Sequence, residues 1–222
     1  MKAMILAAGR GERMGSLSDR KPKPLLEVGG KLLIEYQIEA LAKAGFRQLV
    51  INYAHLGEQF EPALGDGAGY GVEIQYSPEP AGALETGGGI RHALPLLGDE
   101  PFVVTNGDIW TDFPWSTLPD SPSGLVHLVL VDNPPHHRSG DFALHDERVV
   151  SQGSPMLTYS GIGVFCAELF QDNSTTRFPL APLLHQAIGK QQASGEYYAG
   201  HWQDIGTPAR LADLRRYLST DH

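Results

Sequence analysis

Near its start the chain reads MILAAGRGERMGSLSDRKPKPL, residues 4–25, and this stretch decides the fold. The apolar run at 4–7 predicts a short buried strand, and Gly9 and Gly11 predict a tight turn immediately after it. Because glycine has no Cβ, the backbone N–H groups of such a turn can face phosphate oxygens. The stretch therefore predicts the first strand of an α/β fold, followed by a phosphate-binding loop.

Two cations follow the turn, Arg13 and Lys23, and Pro22 and Pro24 stiffen the chain around the second of them. Either cation alone could be an ordinary surface residue, but together with the glycine turn they favour phosphate binding. Two better-known phosphate loops are excluded, because Met14 stands where a dinucleotide fingerprint needs its third glycine and the Gly-Lys-Ser/Thr of a P-loop is absent. A dinucleotide-dependent oxidoreductase is therefore a disfavoured alternative.

The composition limits the class of protein. The 222 residues are 41% hydrophobic and 19% charged, which predicts one folded domain, residues 1–222, and not a disordered chain. The formal net charge of −9 repels nucleic acid, so that partner is not expected. The single cysteine, Cys166, cannot form an internal disulfide, and no apolar run reaches the ~18 residues of a membrane span. We therefore expect a soluble cytoplasmic protein without a membrane partner.

Strands and helices alternate through the first half of the chain. Apolar periodicity predicts strands at 4–7, 49–51, 72–76 and 101–105 and helices at 33–44, 56–64 and 87–97. This alternation predicts a mainly parallel sheet with helices on both faces, a Rossmann-like α/β fold. After residue 108 the alternation loosens. The predicted elements there are strands at 125–131 and 157–165, a helix at 180–188 and a closing helix from Pro208.

Five motifs of the chain resemble one known family. The opening stretch is similar to the signature of the sugar-1-phosphate nucleotidylyltransferases, Leu-Ala-Ala-Gly-x-Gly-Thr-Arg-Met followed by Pro-Lys-Pro-Leu, although Glu12 stands in place of the threonine. The later motifs, in the family's order, are LETGGGI at 84–90, NGD at 106–108, YSGI at 159–162 and WQDIGT at 202–207. The resemblance implies a GT-A-type, Rossmann-like mixed sheet with inserted sugar-binding strands, here without the C-terminal β-helix that related enzymes often carry.

The resemblance implies an enzyme that joins a nucleoside triphosphate to a sugar 1-phosphate and releases pyrophosphate. Within the family it favours UTP as the donor and N-acetylmuramate 1-phosphate as the acceptor, in cell-wall recycling. The alternatives are guanylyl, thymidylyl or uridylyl transfer to mannose or glucose 1-phosphate. From another class, the alternative is a sugar-nucleotide-binding regulatory module without catalysis. The short chain is compatible with a monomer.

Four residues are expected to carry the chemistry that the resemblance implies. Arg13 would hold the β- and γ-phosphates and stabilise the leaving pyrophosphate, and Lys23 would neutralise the α-phosphate during attack. Asp108 and Asp204 would hold Mg²⁺, which typically takes one or two carboxylates along with phosphate oxygens and water. Each residue alone has a plainer interpretation as a surface cation, a turn residue or a helix-flanking residue, but the four occur together and in the family's order.

Further residues are expected around the two substrates. The nucleotide-binding candidates are Ala8, Gly9, Gly11, Arg13, Lys23, Asn52, Gly87 and Gly88. The sugar-side candidates are Glu85, Asn106, Asn133, Asp141, Tyr159 and Gly161. The N–H groups at 87–88 are expected to face the nucleobase, or the sugar hydroxyls together with the Glu85 carboxylate, and Gly161 should let the sugar approach its strand. The nucleotide-binding part should cover about residues 1–110 and the sugar-binding part about 111–200.

Overall fold

The structure is a computed structural model that describes residues 1–80, 84–171 and 175–220. Its strands are β1 (Ala3–Leu6), β2 (Glu27–Val28), β3 (Lys31–Leu32), β4 (Gln48–Tyr53), β5 (Glu73–Pro78), β6 (Phe102–Asn106), β7 (Ile109–Thr111), β8 (Val126–Val131), β9 (Phe142–His145), β10 (Arg148–Val150), β11 (Met156–Phe165), β12 (Ala193–Tyr197) and β13 (Trp202–Asp204). Its α-helices are α1 (Leu33–Lys43), α2 (Phe60–Leu64), α3 (Glu85–Leu97), α4 (Ala181–Gly189) and α5 (Pro208–Thr220). Strands and helices alternate up to β6, and strands dominate after it.

Nine strands form the central sheet, in the order β5-β4-β1-β6-β11-β8-β12-β10-β9. The pairs β5–β4, β4–β1 and β1–β6 are parallel, and so is β12–β8. The pairs β6–β11, β11–β8, β12–β10 and β10–β9 are antiparallel. The predicted α/β fold is confirmed: the first half of the chain builds a parallel unit, and the second half extends it into a mixed sheet.

Strand β1 lies at the centre of the parallel unit. Its last residue, Leu6, is in register with Asn52 of β4 on one side and with Asn106 of β6 on the other. In open α/β sheets, ligands bind outside the carboxyl ends of the parallel strands. Asn52 and Asn106 therefore mark the edge of the sheet where a binding site is expected.

Helices cover both faces of the sheet. Alternate residues of β1 point to opposite faces, so Ala3 and Ile5 pack in one cluster with α1, whereas Met4 packs in another with α3 and α4. Full burial of one large aliphatic side chain contributes about 1.5–3 kcal/mol, and these clusters hold the sheet rigid between its two helical layers. Within the described residues, none of the helices is long and apolar enough to cross a membrane.

The closing helix α5 packs against the cation loop near the start of the chain. Leu211 and Leu214 of α5 are buried together with Met14 of the loop and with Ile205, which precedes the helix. Thr207 caps the helix, since its Oγ1 accepts the N–H of Arg210 at 3.3 Å. The helix thereby brings two distant parts of the chain to the same end of the sheet.

Several strand pairs lie outside the sequence prediction. They are β7–β13, β9–β10 and β2–β3, together with the addition of β12 beside β8. The strands of the first three pairs named here have two to four residues each, which is too short for an alternating apolar pattern to be recognised. Of these, β7–β13 has the most bearing on function, because it brings the two predicted metal aspartates together.

Candidate active site

A cleft opens at the carboxyl ends of β1, β4 and β6. It is lined by Leu6, Ala7, Ala8, Gly9, Lys23, Pro24, Asn52, Glu79, Glu85, Thr86, Asn106 and Asp108. Candidates for both substrates are thus brought together in one place. These described residues come from the parallel strands, from their loops and from the first turn of α3.

The loop after β1 presents backbone to this cleft. A Cβ built on Gly9 would meet no atom within 4 Å, so the Gly9 backbone borders open space. Gly11 adopts a left-handed φ of 65°, and its carbonyl accepts the N–H of Met14 at 2.8 Å and the hydroxyl of Ser18 at 3.0 Å. Gly11 therefore shapes the turn, whereas Ala8 and Gly9 line the cleft itself.

Lys23 and Asp108 form an ion pair inside the cleft. Lys23 Nζ lies 2.5 Å from Asp108 Oδ2, and only 10% of the Lys23 side chain and 30% of the Asp108 side chain are exposed. The lysine begins a short helical turn, Lys23–Leu25, which follows the first of its two flanking prolines. A cation and a carboxylate from distant parts of the sequence thereby neutralise each other at the strand ends.

The turn that carries Asp108 is fixed by Gln37 of α1, which sequence analysis does not identify. Gln37 Nε2 donates to the carbonyl of Asn106 at 2.6 Å and to that of Ile109 at 3.0 Å, and Gln37 Oε1 accepts the Thr105 hydroxyl at 2.9 Å. Only 2% of Gln37 is exposed. A glutamine on the apolar face of an amphipathic helix is the one sequence signal that could have revealed this clamp.

Replacing Gln37 by leucine should test the clamp. Removing the amide leaves two buried carbonyls and one hydroxyl without a partner, so we expect the free energy of unfolding to fall by about 2–4 kcal/mol. Chemical denaturation measures that loss. The control is Gln48→Leu, since Gln48 is exposed and its side chain donates a long hydrogen bond, 3.4 Å, to the exposed Glu73. Equal stability of the two variants would contradict a structural role for Gln37.

Asp204 reaches the site through a long-range strand pair. Strand β13 runs antiparallel to β7, which places Asp204 opposite Ile109, and the N–H of Ile205 donates to the Asp108 carbonyl at 2.7 Å. The backbones of the two predicted metal aspartates are therefore adjacent. Asp204 Oδ2 accepts a hydrogen bond from Arg210, a residue that sequence analysis does not single out.

The other oxygen of Asp204, Oδ1, is buried and accepts no hydrogen bond within the described part of the chain. His136 Nε2 lies 3.0 Å from it but also 2.8 Å from Arg210 Nη1, and a nitrogen that accepts from arginine cannot donate to the carboxylate. A buried carboxylate oxygen without a donor suits a hard cation.

This donor set fits Mg²⁺ better than a softer metal. Among residues 1–80, 84–171 and 175–220, no group of three or more histidine, cysteine or acidic residues could hold a metal ion alone. Mg²⁺ needs only one or two carboxylates, because phosphate oxygens and water complete its octahedron. Asp108 and Asp204 supply that number.

Arg13 lies close to the same end of the cleft. A Cβ built on Gly206, two residues after Asp204, would lie 3.3 Å from Arg13 Nη2. The Arg13 side chain is exposed and forms no ion pair or hydrogen bond with a described residue. Arg13 and Asp204 do not line the cleft, but they lie near each other at Gly206, and Asp204 is adjacent to the Asp108 that does line it.

Asn52 belongs to a hydrogen-bond network at the floor of the cleft. Its Oδ1 accepts the N–H of Ala7 at 2.8 Å, and its Nδ2 donates to Glu79 Oε1 at 2.6 Å. Glu79 Oε2 in turn accepts the N–H of Leu84 at 2.7 Å, which ties the ends of three strands to the start of α3. The role of Glu79 has no signal in the sequence, since Glu79 follows a strand and stands between two prolines.

The expectation that Gly88 presents its N–H to the nucleobase is wrong, because that N–H donates to the Phe178 carbonyl at 3.0 Å. A Cβ on Gly87 would lie 2.5 Å from the Phe178 ring, and one on Gly88 would lie 2.4 Å from the Thr176 carbonyl. Neither glycine lines the cleft; their missing side chains let another chain segment pack against α3. Glu85, at the start of the same helix, does line it.

Asn133 and Asp141, expected on the sugar side, do not line the cleft. Asn133 Nδ2 donates to the Met156 carbonyl at 2.9 Å, and Asn133 Oδ1 accepts the Thr158 hydroxyl at 2.8 Å. Asp141 Oδ2 accepts the N–H of Tyr159 at 2.9 Å. Both side chains therefore fasten the loop between β8 and β9 to β11. Tyr159 does not line the cleft either, and burial raises the pKa of its phenol, which stays protonated at neutral pH.

Gly161 allows β11 to pass close to Asn106. Its φ is +83°, and a Cβ there would lie 2.4 Å from Asn106 Nδ2. The strand is irregular at this point, since its register with β8 shifts between Tyr159 and Gly163. The missing side chain therefore makes room for Asn106, and the expected approach of the sugar to Gly161 stays a prediction.

Gly161→Ala should destabilise the protein. The methyl group combines an unfavourable backbone conformation with a clash against Asn106, so we expect a loss of about 1–3 kcal/mol, measured by chemical denaturation. The matched control is Gly9→Ala, where the methyl would enter open space. That variant should keep its stability and bind nucleotide more weakly. Unchanged stability of Gly161→Ala would contradict the strained geometry.

Comparison with known proteins supports the motif-based resemblance. The nucleotidyl transferase family model matches residues 2–122. The N-acetylmuramate alpha-1-phosphate uridylyltransferase of Neisseria meningitidis serogroup B is 50% identical over 224 residues, 97% of this chain and 97% of its own. The protein of the same name from Caulobacter vibrioides is 33% identical over 95% of this chain and 94% of its own.

A solved structure supports the fold. The inositol-1-phosphate CTP transferase from T. maritima superposes with a TM-score of 0.80 at 20% identity, over 98% of this chain and 94% of its own. At that identity the likeness concerns the fold alone. Two findings establish the family. The family model spans more than half of this chain, and this chain covers almost the whole length of the two relatives. The chain belongs to the nucleotidyl transferase family.

Proposed function

We propose that this nucleotidyltransferase transfers the uridylyl group of UTP to N-acetylmuramate 1-phosphate, forming a UDP-sugar and pyrophosphate. The observation that supports the reaction type is the Lys23–Asp108 pair in the cleft, with Asp204 beside Asp108 through the β7–β13 pair and with Arg13 Nη2 close to Gly206. The two relatives that bear this activity in their names, at 50% and 33% identity, support the choice of substrates. We place the reaction in the cytoplasm, as a step of cell-wall recycling.

In the proposed reaction, a phosphate oxygen of the sugar 1-phosphate attacks the α-phosphorus of UTP. The bond from that phosphorus to the oxygen that bridges it to the β-phosphate breaks, and pyrophosphate leaves with the electron pair. The attacking phosphate is already anionic at neutral pH, so the reaction needs no general base. The barrier comes from bringing several anions together in line, and fixed cations lower it.

Lys23 would act at the α-phosphate. Its ammonium lies in a mostly buried position beside Asp108, where a charge interacts more strongly than it does in water. It can donate to an α-phosphate oxygen without leaving the cleft, because Pro22 and Pro24 restrict the backbone on both sides. Arg13, with an exposed guanidinium, would hold the β- and γ-phosphates through paired hydrogen bonds.

Asp108 and Asp204 would hold Mg²⁺. Bound there, the ion would neutralise triphosphate charge and orient the phosphates for in-line displacement. The chain itself fixes where the two carboxylates stand. Gln37 clamps the turn of Asp108, and the β7–β13 pair sets Asp204 beside it.

We assign nucleotide binding to about residues 1–110 and sugar binding to about 111–200. The cleft lining, which ends at Asp108, supports the first part. The backbone of Ala8 and Gly9 would read the base, above the network that Asn52 holds in place. Glu85 and Asn106 face the same cleft and would contact the sugar.

A donor-by-acceptor matrix tests this function. Pyrophosphate release is measured with UTP, CTP, GTP or dTTP, each combined with the 1-phosphates of N-acetylmuramate, N-acetylglucosamine, glucose and mannose in the presence of Mg²⁺. The highest kcat/KM is expected for UTP with N-acetylmuramate 1-phosphate. A preference for GTP with mannose 1-phosphate would overturn the substrates. If no combination releases pyrophosphate but the protein still binds a UDP-sugar, the regulatory module without catalysis is favoured.

A further inference from the structure

Arg210, on the first turn of α5, contacts several groups at the end of the cleft. Its Nη1 donates to Asp204 Oδ2 and lies 2.8 Å from His136 Nε2, and its Nε lies 3.4 Å from Thr207 Oγ1. Only 14% of the Arg210 side chain is exposed. An arginine buried to this degree against a predicted metal ligand differs from the solvated arginines farther along the helix.

The guanidinium groups of Arg210 and Arg13 both lie close to Gly206. A Cβ on Gly206 would lie 2.5 Å from Arg210 Nη2 and 3.3 Å from Arg13 Nη2. Two guanidinium groups therefore adjoin each other, although their like charges repel and the whole chain has a net charge of −9. Asp204 is the only carboxylate with an ion pair to either arginine among the described residues, so this corner carries excess positive charge.

A cation bound by Asp204 would increase this excess positive charge, and an anionic triphosphate would offset it. A cation bound at the free oxygen Oδ1 of Asp204 would draw on the same carboxylate charge that Arg210 contacts at Oδ2. The ion pair of Arg210 would weaken, and its guanidinium could take a further acceptor. The nearest suitable one is a phosphate group held by Arg13, because two guanidinium forks can surround the oxygens of one pyrophosphate unit. The absence of a side chain on Gly206 leaves room for this arrangement.

We propose that Arg210 is a second phosphate-binding arginine of this enzyme. It pairs with Asp204 until the metal-bound triphosphate enters, and then binds the β- and γ-phosphates with Arg13. His136, from the loop between β8 and β9, keeps the guanidinium in place beside Gly206. The inference rests on the proposed nucleotidyl transfer but not on the identity of the base or the sugar.

The test compares Arg210→Gln and Arg210→Lys with wild type and with a control, Arg216→Gln. Arg216 lies on the same helix, is exposed and pairs with Asp213. Isothermal calorimetry measures the Kd of the preferred nucleoside triphosphate with Mg²⁺ and, separately, the Kd of inorganic pyrophosphate with Mg²⁺. Thermal unfolding of each variant is recorded in parallel.

We expect Arg210→Gln to weaken triphosphate and pyrophosphate binding at least about tenfold, the loss typical of one charge-assisted hydrogen bond. Arg210→Lys keeps the charge but not the fork, so we expect a smaller loss, about threefold. Arg216→Gln should bind like wild type. The KM of the sugar 1-phosphate should stay within about twofold in all three variants.

Two results would overturn the proposal. Unchanged Kd values in both Arg210 variants would mean that Arg210 only positions Asp204 and does not bind phosphate. The second result is normal triphosphate binding with a raised KM for N-acetylmuramate 1-phosphate and no preference for it over N-acetylglucosamine 1-phosphate. Because only the first of these sugars carries a carboxylate, that result would mean that Arg210 binds the carboxylate of the acceptor. If Arg210→Gln does not fold, the lysine variant decides the question. Failure of the proposed substrates appears separately, as wild-type inactivity in the donor-by-acceptor matrix.

Discussion

Replacing Lys23 by methionine is expected to lower kcat/KM about 10²- to 10³-fold, the range seen when one preorganised charge donor is removed from a transition state. The loss should appear in kcat, because the α-phosphate gains negative charge during attack and the ammonium acts on that change. Methionine retains most of the length of the buried stem, so the core contacts of the side chain should survive. Steady-state kinetics at saturating Mg²⁺ measures the effect.

The matched control is Lys21→Met, two residues earlier in the same loop. Lys21 is 39% exposed in its side chain and lies 3.5 Å from an exposed Glu27 oxygen, so it contributes little to stability and has no contact with the cleft. Lys21→Met should therefore turn over like wild type. Equal kinetics for the Lys21 and Lys23 variants would mean that Lys23 is only a structural partner of Asp108.

The sequence predicts the position of a site residue well where that residue belongs to a contiguous motif. Gly9, Lys23 and Asp108 each belong to a short stretch that directly follows a predicted strand or turn. The carboxyl ends of parallel strands meet at one edge of a sheet, so local patterns were enough to bring these residues together. The specific roles of Arg13, Lys23, Asp108 and Asp204 come from the resemblance. The positions of Arg13 and Asp204 also depend on α5 and on the short pair β7–β13.

The sequence fails where the reason for a residue lies far away along the chain. Gly88 has the pattern of a ligand-binding glycine, but its N–H is used by Phe178, about 90 positions later. Asn133 and Asp141 are polar residues expected on the sugar side, but their hydrogen bonds attach the loop between β8 and β9 to β11. Gln37 shows the opposite failure: the sequence does not mark it as important, because its role depends on two carbonyls of another segment.

Asp108→Asn should have an effect as large as that of Lys23→Met, about 10²- to 10³-fold in turnover, through loss of a carboxylate ligand. The amide has the same shape, so the fold should remain intact. The Mg²⁺ concentration for half-maximal rate should rise as well, which distinguishes a metal ligand from a residue that only orients Lys23. A Mg²⁺ titration of the initial rate measures this. Near-normal turnover with an unshifted Mg²⁺ dependence would refute the metal role of Asp108.

The double variant Lys23→Met/Asp108→Asn separates the two roles of this ion pair. Either single substitution leaves one mostly buried charge without its partner, whereas the double variant leaves neither charge behind. We therefore expect the double variant to lose less free energy of unfolding than the sum of the two single variants. Its turnover should be no better than that of either single variant, because each side chain has its own partner in the reaction. Strictly additive stability losses would show that the pair contributes no coupling to the fold.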